Sequence, residues 1–166
     1  MQEKKEILIK RIGIINKHQK ALSEYKKLID ELVYVSRKGE VNLYAVENYE
    51  RLTVQQKALF EAYLKRFSSL QDYMGAKVFP LIMEMAGIAT GKMSEILVAV
   101  EREEIIDSLQ EWIELREIRN ALEHDYPEAL EQALQELQQC VAGYEKLTRY
   151  VSNVIQFSRE KLNAPL

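Results

Sequence analysis

Apolar residues at three- and four-residue steps dominate the chain, and their breaks define its elements. Leu8, Ile12, Ile15, Leu22, Tyr25, Ile29 and Leu32 keep this spacing, so residues from about 3 to 37 read as one amphipathic helix, ended at Gly39. Thr53 and Gln56 have the spacing of a capping box. Behind them Leu59, Tyr63, Phe67, Leu70, Met74, Val78, Leu81 and Met85 carry a second helix. Pro80 falls inside it, where a missing N–H and a ring clash predict a kink or a break. Gly87 to Met93 reads as a loop, followed by a short helix from about Ser94 to Arg102 and another from about Asp107 to Leu122. The last helix is expected to start at Pro127, a residue suited to a first helical turn, with Glu128 and Glu131 favourable to the dipole. Its stripe of Leu130, Leu134, Leu137, Val141, Tyr144, Val151 and Ile155 predicts a continuous helix to about Leu162. No alternating pattern suggests a strand. The expectation is an all-α antiparallel bundle of four long helices plus one short helix, forming a single domain over residues 1–166.

Composition narrows the chemistry. Hydrophobic residues at 47% and charged residues at 30% suit a well-packed helical protein, and 166 residues suffice for one core. The net charge of −3 supplies no global basic field, so any contact with nucleic acid has to be local. Cys140 is the only cysteine and cannot form an internal disulfide, and no Cys/His spacing suggests a metal site. The N-terminus lacks the apolar core of a signal peptide, and no stretch reaches the length of a membrane span. A cytoplasmic protein without a cofactor and without membrane contact is expected. "GIATGKMS" has the look of a phosphate loop. However, only three residues separate Gly87 from Gly91, Met93 stands at the Ser/Thr position, and no strand precedes it. His18, near the apolar side of the first helix, reads as a partly buried structural histidine.

The stretch "RNALEHDYP", Arg119 to Pro127, concentrates chemistry-bearing residues at a helix end. At about 100° per residue, Trp112, Ile113, Arg116 and Asn120 share a sector that turns from apolar to polar along the helix. Arg119 lies at its edge, between that sector and a second stripe of Leu115, Ile118 and Leu122. A buried guanidinium is costly unless it is paired or faces a polar cleft, which predicts a helix that packs through its first half and lines a groove through its second. His124 would lie about 140° from Arg119 on a continued helix. Pro127 disfavours helical geometry at Tyr126, so the helix is expected to end near His124 and let the imidazole turn to the groove. The alternative is structural: an Arg119–Glu123 pair, His124 as a helix cap and Tyr126 as an anchor for the next helix.

Arg119-Asn120-Ala-Leu-Glu-His124-Asp-Tyr126 resembles the R-x4-H-x-Y motif of HEPN-domain ribonucleases, in particular the HepT-like toxins paired with MNT nucleotidyltransferase antitoxins. The layout upstream is similar to the family's helix, loop, short helix and motif helix, and "RFSSLQDY", Arg66 to Tyr73, looks like its earlier helix. The resemblance covers about residues 54 to 160, and the first 52 residues are longer than the family's opening helix. It implies metal-independent cleavage of RNA at a cleft between two subunits of a homodimer, in a type VII-like toxin–antitoxin module. His124 would be general base or acid and Arg119 would stabilise the phosphorane, with Asn120 orienting the cleft. Arg116, placed by position and not by the motif, would add a phosphate contact. The resemblance further implies that a nucleotidyltransferase attaches AMP to Tyr126 and silences the toxin. Two other classes remain open: a non-catalytic subunit that presents substrates to a nucleotidyltransferase, and a purely structural helical dimer.

Overall fold

In the computed structural model, which describes residues 1–88 and 91–166, the protein is all-helical. Helix α1 (Gln2–Lys38) has Gly39 as its C-cap, and it buries Leu8, Ile12, Ile15, Leu22 and Ile29, the expected stripe. A short helix α2 (Val46–Glu50), which the apolar period did not predict, follows. Helix α3 (Val54–Tyr73) opens on a complete capping box: the Thr53 hydroxyl accepts from the Gln56 N–H, and the Gln56 side chain accepts from the Thr53 N–H. It buries Phe60, Tyr63, Phe67 and Leu70 and lies along α1.

The predicted disruption at Pro80 takes another form. The chain widens into a π-helical turn over Met74–Val78 and continues as α4 (Phe79–Met85) with Pro80 in its first turn. There the Phe79 N–H reaches back to the Met74 carbonyl, and the ring's missing N–H falls where an interruption is already present. The loop expected over Gly87 to Met93 lies partly outside the described residues. Gly87 and Gly91 within it have φ of +68° and +122°, values that side-chain-bearing residues rarely adopt.

Helix α5 (Met93–Arg102) leads to α6 (Leu109–Asp125), which the Ser108 hydroxyl caps by accepting from the Glu111 N–H. Two expectations about the last third are corrected. Pro127 does not open a helix: Tyr126–Ala129 form a turn that contains a cis Tyr126–Pro127 bond, and α7 (Leu130–Ala142) begins three residues after Pro127. Nor is the terminal stripe one helix, because α7 gives way at Gly143 to α8 (Tyr144–Leu162).

The reason for Gly143 is space. A Cβ there would lie 2.9 Å from Leu115 Cδ2 and 3.4 Å from Phe67 Cζ, so α3 and α6 close on the α7–α8 junction against bare backbone. Gly143→Val is expected to cost about 2 kcal/mol by overpacking, seen as a fall in Tm of roughly 4–8 °C. A calorimetric scan showing no change would mean that the junction has room. Around it the core closes on aromatic contacts, with the Trp112 ring 4.9 Å from Phe79 and 6.1 Å from Tyr150. Gln71 Nε2 donates to the Trp112 carbonyl at 3.0 Å, tying α3 to α6. Among the described residues no helix is long and apolar enough to cross a membrane.

Candidate functional site

Helix α6 carries every residue of the expected site except Tyr126, and it sorts them onto two faces. Trp112, Leu115 and Leu122 are buried, whereas Arg116, Asn120 and His124 are exposed. The exposed three stand at successive four-residue steps, so they form one file that drifts by about 40° per step along the solvent side. The Trp112–Asn120 sector turns from buried to exposed along the helix as expected, but within one chain its second half is open surface and not the expected groove.

Arg119 is on the other face. It stands four residues after Leu115 and three before Leu122, extends their buried stripe, and is itself only 3% exposed. Its guanidinium is anchored to α3: Nη1 donates to the Ser68 carbonyl at 2.7 Å, and Nη2 donates to Asp72 Oδ1 in an ion pair. The pairing with Glu123, open to it four residues on, does not form. A carbonyl and a carboxylate together satisfy the planar fork better than one flexible glutamate on the same helix can. The Asp72 side chain is 59% exposed, so the ion pair spans from interior to surface. Nε of Arg119 is buried without a partner.

The helix ends at Asp125, next to His124 as expected, but His124 still belongs to its last turn and its ring is not released toward Arg119. The proline acts one step later, where Tyr126 is extended (φ −87°, ψ 130°) as a residue before proline prefers. Within one chain the structure does not bring His124 and Arg119 together. One faces solvent and the other the core. Tyr126 is 42% exposed, and its N–H still donates to the Leu122 carbonyl at 3.1 Å. Asn120 and Arg116 have side chains open to solvent beside His124.

Behind Arg119 lies a buried polar layer that the sequence period did not single out. Glu136 of α7 is buried, takes an N–H of Gln132 at 3.2 Å through Oε1, and leaves Oε2 without a partner. Burial and the neighbouring Asp125 carboxyl push its carboxyl up. One turn on, burial raises the Cys140 thiol to about 12 against the lowering effect of Arg119, which keeps it a protonated packing group. The signal that could have marked Glu136 is a charged residue on an apolar stripe, between Ala133 and Leu137.

His18 is half-buried as expected, and its Nδ1 stands 3.0 Å from Arg66 Nη1. Burial first, and the Arg66 charge second, lower its pKa, so the neutral ring serves as acceptor. Among the described residues no three His, Cys, Asp or Glu side chains gather in a way that can hold a metal ion. No family model, no curated protein and no solved structure matches the chain.

Proposed function

We propose that the chain is a metal-independent endoribonuclease of the HEPN type that acts as a homodimer. The observation that carries this reading is the open file Arg116, Asn120 and His124, on a helix whose adjoining buried face holds an anchored Arg119. A packing helix has little use for an exposed cation, amide and imidazole in register. A phosphodiester cleft uses all three.

In the proposed reaction His124 takes the proton of a ribose 2′-hydroxyl as that oxygen attacks phosphorus, or returns a proton to the leaving 5′-oxygen. One imidazole per subunit means that a dimer supplies both tasks, with the two motif helices near the two-fold axis. Arg116 and Asn120 hold the phosphate and sugar. Arg119 contributes its charge from beneath, and since Asp72 is more than half exposed, a substrate phosphate can replace that carboxylate on the guanidinium fork. The net charge of −3 favours a particular structured RNA over any strand.

The second part of the proposal concerns control by a partner nucleotidyltransferase of the MNT type. The exposed Tyr126 hydroxyl, two residues past His124, attacks the α-phosphorus of ATP, pyrophosphate leaves, and the phenolic proton passes to the partner's base or to water. The attached phosphodiester brings negative charge and bulk beside a cleft that has to admit an RNA phosphate. Purified protein incubated with total RNA and EDTA, followed by mapping of the cut ends, tests the activity. Discrete cleavage is expected, and intact RNA would overturn the reading. The Tyr126→Phe variant is expected to cut RNA while escaping neutralisation on co-expression. A Phe variant that is neutralised normally, together with wild type lacking the added mass of AMP, would remove the tyrosine from the proposal.

A further inference from the structure

On the side of α6 next to Glu123 and Tyr126, a cleft of about 240 Å³ opens between α2, α3, α6 and α7. Its floor and walls are apolar and belong to the core: Phe60 and Tyr49, with ring centroids 5.9 Å apart, and Leu122, Leu134 and Leu137, all buried. Three side chains open to solvent stand at its rim, Glu61 of α3, Glu123 of α6 and Tyr126. Among the described residues neither glutamate forms an ion pair. Glu123 is left so because Arg119 turns to Asp72.

This division of chemistry selects a ligand. The volume lies below the range of pockets that hold drug-sized molecules, yet above the cavity that accepts a single benzene ring, so one ring or one branched aliphatic group fits. Nothing on the floor offers a charge, so the buried part has to be apolar. At the rim two carboxylates set a negative potential beside a low-dielectric surface, where they attract a cation and repel an anion more strongly than they would in open water. Burial, then Tyr126 and Glu61, push the Tyr49 phenol up to about 12, so it stays neutral. Lys57 lies with its ammonium 5.9 Å from the Tyr49 ring centroid and donates to the Glu50 carbonyl at 3.2 Å, which leaves the two glutamates available.

We propose that this cleft binds a small amphiphilic cation, its aromatic or branched aliphatic body seated against Phe60, Leu122 and Leu134 and its protonated amine held by Glu61 and Glu123. A free arylalkylamine and the amino terminus of a peptide that begins with an apolar residue share this chemistry. The cleft's apolar floor offers a phosphate neither donor nor cation, so its ligand is distinct from the RNA of the proposed reaction. A seated ligand covers part of the exposed Tyr126 ring.

Titration of the protein with 2-phenylethylamine and with its anionic counterpart 3-phenylpropionate, followed by NMR of the methyl groups of Leu122, Ala133 and Leu134, tests the site. The amine is expected to shift these methyls and to bind at least about tenfold more tightly than the acid. The exposed double variant Glu61→Gln with Glu123→Gln should bring the two affinities together without loss of fold. Leu134→Trp, checked for folding by circular dichroism, should abolish both. Phe-Gly-Gly amide binding more tightly than phenylethylamine supports a peptide terminus as the source, and weaker binding supports a free amine. Equal affinity of acid and amine for the unmodified protein overturns the proposal. So do shifts confined to residues outside the cleft, and so does the absence of any shift at millimolar amine. These readings do not involve RNA, so failure here and failure of the ribonuclease assignment are told apart.

Discussion

His124→Ala is expected to lower RNA cleavage by about two to four orders of magnitude, the range for loss of a positioned acid–base group, while leaving the fold as it is. The imidazole is exposed and makes no hydrogen bond among the described residues, and surface substitutions of this kind usually stay within about 0.5 kcal/mol. Thermal melts should therefore superimpose on those of the parent. His124→Gln separates chemistry from shape, because an amide keeps hydrogen-bonding capacity but transfers no proton at neutral pH. Initial rates on a defined RNA, with EDTA present, provide the measurement. A His124→Ala protein that cuts at the parent rate would take the imidazole out of the reaction and return it to the role of an unremarkable helix-end residue.

Arg119→Ala is expected to behave differently, as a stability variant first. Removal of the side chain takes away the tie from α6 to the Ser68 carbonyl and opens a cavity between α3 and α6, at a combined cost of about 2–4 kcal/mol. The contribution of Asp72 is small in comparison, because that carboxylate is more than half exposed and water replaces the lost partner. Chemical unfolding of Arg119→Ala, Arg119→Met and Asp72→Asn should rank them in that order of damage. Met keeps most of the packing, and Asn keeps the Ser68 bond. An unchanged urea midpoint for Arg119→Ala would contradict the anchoring role. The same set reads out catalysis: if the guanidinium meets the substrate phosphate, Asp72→Asn retains cleavage and Arg119→Met loses it at temperatures where both are folded.

How far the sequence carried the reading depended on range. The limits of α1, the Thr53–Gln56 capping box and the buried face of α3 are local features, and a period with its caps describes them. The break at Gly143 is invisible to a period, because Val141, Tyr144, Leu147 and Val151 keep helical spacing across it. The residues that leave no room for a side chain there, Leu115 and Phe67, come from other helices. Pro127 fits a first helical turn as a type, but the chain needs Tyr126–Ala129 to reverse from α6 into α7. Among the site residues, the open positions of Arg116 and Asn120 followed from angles along one helix. The partner of Arg119 did not: Asp72 lies 47 residues away, and a local rule offered Glu123 in its place. His18 and Arg66, 48 residues apart, repeat the lesson.

The wide turn at Met74–Val78 fixes a residue count as well as a shape. A turn closed by i→i+5 bonds holds roughly one residue more than an α-helical turn, so everything after it is rotated by about 100° from where an uninterrupted helix would place it. That rotation helps bury Val78, Phe79, Leu81, Ile82 and Met83 together, a broader apolar arc than α3 presents. Proline alone does not hold the turn open. Replacing Pro80 with alanine restores an N–H but removes no residue, and the packed side chains on both sides keep the surplus in place. Conversely, a chain shortened by one residue between Gly75 and Lys77 would regain an unbroken hydrogen-bond ladder only to set the Pro80 ring against it. Length and proline are thus matched to each other, and a sequence that changed one without the other would lose the helix that backs Trp112.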